Sequence, residues 1–96
     1  MELILVYDIA TPDRQGEQRL RRVAKICESY GLRVQRSVFE CKITEAAYEQ
    51  FMHQLRTVID HTTDRVTIYT IPGGVGSKRQ DLGKEAGFYT DRPWIL

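Results

Sequence analysis

Residues 2–9 read Glu-Leu-Ile-Leu-Val-Tyr-Asp-Ile, a nearly continuous apolar run interrupted near its end by the carboxylate of Asp8. A strand with one wet face would alternate apolar and polar residues. This one does not, so it reads as a central strand covered on both faces. Ile4 and Val6 point to one side together with Asp8, and Leu3, Leu5 and Tyr7 point to the other. Beyond the strand, Thr11-Pro12-Asp13 is a breaker that offers an N-cap followed by proline at the first helical position; Gly16 leaves the helix start open. From about Gln18 the helical period is clear. Leu20, Val23, Ala24, Cys27 and Tyr30 share one face, and Gly31 is expected to end the helix as a C′ residue.

Residues 32–43 are extended by composition, as one kinked strand or as two short strands meeting near Arg36-Ser37, since no Gly, Pro or Asn marks a turn among them. Thr44 then caps a second helix with Glu45 in its first turn. Tyr48, Phe51, Met52, Leu55, Val58 and Ile59 form an i, i+3, i+4 stripe, the strongest periodic signal in the chain. Asp60 to Asp64 is a polar turn, and the β-branched alternation from Arg65 to Ile71 is a last strand closed by Pro72. The order β-α-β(β)-α-β with short connections fits an α+β fold, a ferredoxin-like βαββαβ sandwich. Such a fold carries both helices on one face of the sheet. The first strand is nonetheless apolar on both sides, so the other face needs a cover, and a second copy of the chain across a two-fold axis is the simplest one.

A chain of 96 residues allows one domain, and by size scaling it buries only roughly 60 to 65% of its unfolded surface. Apolar residues make up 42% and charged residues 28%, which excludes global disorder. No apolar stretch approaches the ~18 residues of a bilayer span, and residues 1–6 lack the basic region and cleavage site of a signal peptide. A cytoplasmic location with no membrane partner is expected. Cys27 and Cys41 stand apart and read as buried thiols; His53 and His61 do not form a metal pair. The net charge of +1 hides an asymmetry. Arg14, Arg19, Arg21, Arg22, Lys25, Arg33 and Arg36 put seven of the 14 basic residues into residues 14–36, where only Glu17 and Glu28 oppose them. That run is either a solvated charged face or a surface that tracks phosphates.

Asp8 is the sharpest chemical candidate. It is either a turn residue or a Mg²⁺ ligand, because hard cations prefer carboxylate oxygen. One carboxylate makes a poor site, but a two-fold axis near the strand end would set two copies face to face. Gly73-Gly74-Val75-Gly76-Ser77-Lys78 lacks the order of a phosphate-binding loop and reads as a post-strand turn. Tyr7, Phe39, Tyr69 and Trp94 read as core or interface. Ser37 has no neighbouring partner to activate it, and His53 falls on the polar side of the second helix.

Three stretches carry a family resemblance: Tyr7-Asp8 closing the first strand, Arg-Leu-Arg-Arg-Val-Ala-Lys at 19–25, and Tyr-Gly-Leu-Arg-Val-Gln-Arg-Ser-Val-Phe-Glu at 30–40. With the ending Asp91-Arg92-Pro93-Trp94-Ile95-Leu96 they resemble the small CRISPR-associated adaptation protein family, whose members accompany the CRISPR integrase in spacer acquisition. The resemblance implies a homodimer with Asp8 of each protomer at a Mg²⁺ (or Mn²⁺) site. It further implies a metal-dependent endonuclease acting on double-stranded DNA or single-stranded RNA, and a DNA-binding scaffold for the integrase. Asp8 would be both catalytic residue and metal ligand; Arg14, Arg19, Arg22 and Arg33 would bind nucleic acid; Tyr7, Ser37 and Phe39 would support the site or the dimer. Residues 1–78 would form the domain, and 79–96 an extension adding a strand to the partner's sheet. A non-catalytic DNA scaffold and a toxin-type endoribonuclease are the competing readings.

Overall fold

The computed structural model describes residues 1–83. Its elements run β1 (Glu2–Asp8), α1 (Arg14–Tyr30), β2 (Leu32–Gln35), β3 (Val38–Lys42), α2 (Glu45–Val58) and β4 (Arg65–Thr70). The sheet order is β2-β3-β1-β4 with every neighbour antiparallel, the ferredoxin-like arrangement expected from the element order. β1 is central. Leu3 and Leu5 face the helices with no exposure at all, joined there by Phe39, Val23, Cys27 and Phe51. Burial of each such side chain contributes about 1.5–3 kcal/mol. Tyr30 of α1 stacks on Phe51 of α2 at 4.5 Å, and its hydroxyl accepts a 2.8 Å hydrogen bond from the Gln54 amide, which ties the two helices together.

The helix boundaries follow local chemistry. Asp13, rather than Thr11, is the N-cap of α1: its carboxylate accepts from the Gly16 backbone N–H at 2.9 Å, so Pro12 precedes the helix instead of starting it. Gly16 lies inside the first turn because the β1–α1 loop folds against it. A Cβ there would come within 2.2 Å of the Ala10 carbonyl oxygen. Gly31 ends α1 as its C-cap, but in an extended conformation (φ −156°) and not as a left-handed C′ residue. It is glycine for lack of space, since a Cβ would lie 2.4 Å from the Cys41 sulfur. Thr44 caps α2 as expected, accepting from the Ala47 N–H at 3.1 Å.

Residues 32–43 form two strands. Arg36 and Ser37 make the turn, and an irregularity between Arg33 and Gln35 accommodates it without glycine or asparagine. The hairpin tip docks on β1, where the Tyr7 N–H donates to the Ser37 carbonyl at 3.1 Å.

The face of the sheet away from the helices is partly covered from within. After β4, residues 71–79 cross beneath β1. Val75 is buried there, its N–H donates to a Glu2 carboxylate oxygen at 2.8 Å, and Arg79 pairs with Glu40 at 2.7 Å. The Gly-rich stretch supplies this turn through Gly73 and Gly74, both at positive φ, and no helix follows it among the described residues. Ile4 and Val6 remain half-buried, while Tyr69 is 57% and Leu32 37% exposed, so this face is neither bare nor closed. Arg79, where the expected extension begins, is anchored to the domain by Glu40. The expected C-terminal strand falls largely on residues 84–96, outside the described ones.

One contact that a polar turn did not foretell holds the corner near Asp8. The Asp64 side chain is wholly withdrawn from solvent. It accepts the Ala10 N–H at 3.0 Å, the Asp60 N–H at 2.8 Å and the Arg19 guanidinium at 2.8 Å. Burial alone would raise this carboxyl; the hydrogen bonds from Arg19 and the two backbone groups outweigh it and hold the pKa below its usual 3.8. A depressed folded pKa stabilises the protein above the unfolded value, and that stability disappears as pH falls through the folded one. Asp64→Asn should therefore lower the urea midpoint at neutral pH and flatten the loss of stability below about pH 4; an unchanged acid limb would remove Asp64 from this role. Gly16→Ala should cost about 1–3 kcal/mol through overpacking. Gly76→Ala, whose Cβ meets nothing within 4 Å, should be near neutral in the same denaturation series.

Candidate functional site

Asp8 is the last residue of β1 and is exposed, on the side of the sheet shared with Ile4 and Val6. Clefts open on both sides of it. One, of about 360 Å³, lies between α1 and the β2–β3 turn and is lined by Tyr7, Leu20, Arg21, Arg33, Arg36 and Ser37 with Asp8. The other, of about 610 Å³, lies beside the α2–β4 turn and is lined by His61, Thr62, Thr63, Asp64 and Arg65 with Asp8. A carboxylate at a strand end, between a basic cleft and one rich in hydroxyls, is reachable by solvent and by a polyanion alike.

The first cleft gathers most of the residues singled out in the sequence. Tyr7 is buried on the helix side of β1, its ring 6.1 Å from Phe39. The Arg33 guanidinium lies 5.1 Å over the Phe39 ring, a cation–π arrangement that fixes a long side chain, and it donates to the Tyr7 hydroxyl at 3.4 Å. Tyr7 in turn donates to the Arg36 carbonyl at 3.4 Å. Burial pushes the Tyr7 phenol up from its usual 10, with Arg33 opposing part of the rise, so it stays a neutral hydrogen-bonding group. Arg33 also lies 3.6 Å from Glu28, a partly exposed pair of small energetic weight, and its Nε is buried without a partner among the described residues. Phe39 is the fully buried floor on which this set rests.

The other basic candidates are placed differently. Arg19 is committed to Asp64 and holds the corner of the fold. Arg22 is exposed over the groove between the helices, beside Lys25, Ile26 and Gln54 and away from Asp8. Arg14 is exposed at the start of α1. Arg21 and Arg36 reach the Asp8 cleft although only their charge stood out in the sequence. Arg65 and His61 reach the second cleft; the alternation after Asp64 places Arg65 on one face of a strand, but only the pairing register shows that this is the Asp8 face.

Among the described residues no three His, Cys, Asp or Glu side chains converge on a point that could hold a metal ion. One protomer thus offers a single free carboxylate at this end of the sheet. Cys27 and Cys41 are buried and unpaired, as expected, and burial pushes both thiols up to about 12, which makes them inert. No described helix is long and apolar enough to cross a membrane.

Comparison with known proteins agrees with this architecture. Residues 1–78 match the family described as CRISPR associated protein Cas2. The CRISPR-associated endoribonuclease Cas2 1 of Moorella thermoacetica is 38% identical over 96 residues, covering 100% of both chains. The CRISPR-associated endonuclease Cas2 of Halalkalibacterium halodurans is 34% identical over 96 residues, again covering 100% of both. The crystal structure of Streptococcus pyogenes Cas2 superposes with a TM-score of 0.78 at 40% identity, covering 86% of this chain and 100% of that one. With the family match over residues 1–78, relatives covered over their full length and a superposing crystal structure in agreement, the chain belongs to the Cas2 family of CRISPR-associated proteins.

Proposed function

We propose that this protein is a metal-dependent endonuclease that acts as a homodimer in CRISPR spacer acquisition, with Asp8 at its centre. The observation that carries this reading is the position of Asp8, an exposed carboxylate at the end of the half-covered face of the sheet, between a cleft that gathers three arginines and one rich in hydroxyls. The endoribonuclease and endonuclease names of its relatives accord with it.

The donor chemistry fits Mg²⁺ or Mn²⁺ best if two chains contribute. Mg²⁺ is commonly bound through one or two carboxylates plus substrate phosphates and water, and a pair of Asp8 residues across a two-fold would meet that demand. The half-covered sheet face, with Ile4, Val6, Tyr69 and Leu32 incompletely shielded, supports pairing on the same side. Bound there, the cation would neutralise charge on the phosphate and lower the pKa of a neighbouring water. The residues of the chain do the rest. Asp8 supplies hard oxygen ligands. Arg21, Arg33 and Arg36 draw the phosphate backbone into the first cleft, and the Phe39 ring and Tyr7 hydroxyl hold Arg33 in place. Ser37 lines the same wall.

A second role, as a DNA-binding scaffold for the CRISPR integrase, is favoured by the basic residues that lie outside these clefts. Arg14, Arg22 and Lys25 are exposed along α1, where a duplex could track across them. Arg19 is not part of that surface, because its charge is spent on Asp64.

The two roles separate experimentally. Labelled duplex DNA and single-stranded RNA are incubated with wild type or Asp8→Ala, in Mg²⁺ or in EDTA, after equal melting temperature and oligomeric state are established. Metal-dependent cleavage by wild type alone is the expected result, and equal cleavage by both proteins would remove Asp8 from the chemistry. In a binding titration, Arg14→Ala/Arg22→Ala should weaken duplex affinity and lower the slope of log K against log salt by roughly one to two per protomer. Asp8→Ala should leave that slope unchanged.

A further inference from the structure

We propose that Arg65 holds the phosphodiester on which Asp8 acts, so that the second cleft is the seat of the reacting phosphate. This rests on the reading of Asp8 given above. The pairing register sets Asp8 of β1 directly opposite Arg65 of β4, on the same face of the sheet. Side chains so opposed have Cβ atoms about 4.5–5.5 Å apart. Both residues are exposed, and both line the cleft beside the α2–β4 turn.

Arg65 differs from the other arginines that have settled partners. Arg19 is paired with Asp64, Arg33 with Glu28 and Arg79 with Glu40, whereas Arg65 enters no ion pair among the described residues, even with Asp8 beside it. The adjacent carboxylate cannot claim it either, because Asp64 points inward and is filled by Ala10, Asp60 and Arg19. Asp60 is likewise occupied by the Thr62 N–H and hydroxyl. The cleft therefore presents one unspent negative group, Asp8, and beside it one unspent guanidinium.

That juxtaposition suits a phosphodiester in particular. When water adds to phosphorus and the bond to the leaving oxygen breaks, the non-bridging oxygens gather negative charge. The attacking water releases a proton to solvent and the leaving oxygen takes one from it. A planar guanidinium can donate two parallel N–H bonds to two such oxygens, which an ammonium cannot. With Asp8 engaged in holding a cation, Arg65 would add a second positive contact to the same phosphate, and removal of one such donor commonly costs about 10²–10³ in rate.

The test compares wild type, Arg65→Ala, Arg65→Lys and Asp8→Ala. Cleavage is measured with separate kcat and KM, and binding of the same RNA and DNA is measured in EDTA across a salt series. The expected result is a fall of roughly 10²–10³ in kcat/KM for Arg65→Ala, partial recovery in Arg65→Lys, and a log–log salt slope lower by about one per protomer in Arg65→Ala. Because Arg65 is exposed, its replacement should leave the melting temperature unchanged. Arg65→Ala with wild-type kcat/KM and an unchanged salt slope overturns the proposal. If Asp8→Ala cleaves as well as wild type, or wild type does not cleave at all, the reading of Asp8 fails by itself. The salt slope then decides whether Arg65 contacts phosphate.

Discussion

Leu3 and Leu5 have no contact with solvent, and the remaining elements take their places from covering them. A strand cannot bury alternate side chains unless something lies over the face they point to and something pairs with each edge. β3 and β4 supply the edges, and the two helices supply one face by laying Val23, Cys27, Phe51 and Leu55 over it. Once the strand is centred in this way its carboxyl end is fixed relative to both neighbouring turns. The β2–β3 turn is fastened to it through the Tyr7 N–H, and the α2–β4 turn through Asp64 and the Ala10 N–H. Asp8 owes its position between two clefts to these paired attachments.

The two aspartates at this corner show how burial sorts identical chemistry into different roles. Asp64 is enclosed and fully occupied by donors from α1, from the β1–α1 loop and from its own turn. Its charge is consumed in holding the backbone. Asp8 lies only a strand's width away, opposite the residue that follows Asp64, and is open to solvent. A carboxylate whose donors are all internal can support a structure but cannot exchange ligands. One left open retains its capacity to bind an external cation or donor.

Periodicity was enough to read most of the fold. The nearly continuous apolar run at 2–9 located the central strand, and the stripe from Tyr48 to Ile59 located α2 and its inner face, because hydrophobic spacing reports directly which side is buried. The details that escaped are matters of close approach. Asp13 displaced Thr11 as the cap, and Gly31 is glycine because of a sulfur ten residues further along the chain. No local pattern encodes such contacts. The site was legible to a similar depth. Tyr7, Asp8, Arg33 and Ser37 meet in one cleft, whereas Arg19 was hidden among its basic neighbours until its partner Asp64 appeared. Arg65 could be recognised only through the register of β4 on β1, which neither strand's own sequence specifies.

The strap formed by residues 71–79 has a bearing on how the exposed side of the sheet can be used. Its anchors, Glu2 with Val75 and Glu40 with Arg79, are set at the amino-terminal half of β1 and the adjoining part of β3. The chain thereby acts as its own doorstop. A body approaching this side meets the strap at one end and can close down only at the other, where Val6 and Asp8 lie. Orientation at that surface is thus dictated by where the protein has already covered itself, and the approach is steered toward the end that carries the carboxylate.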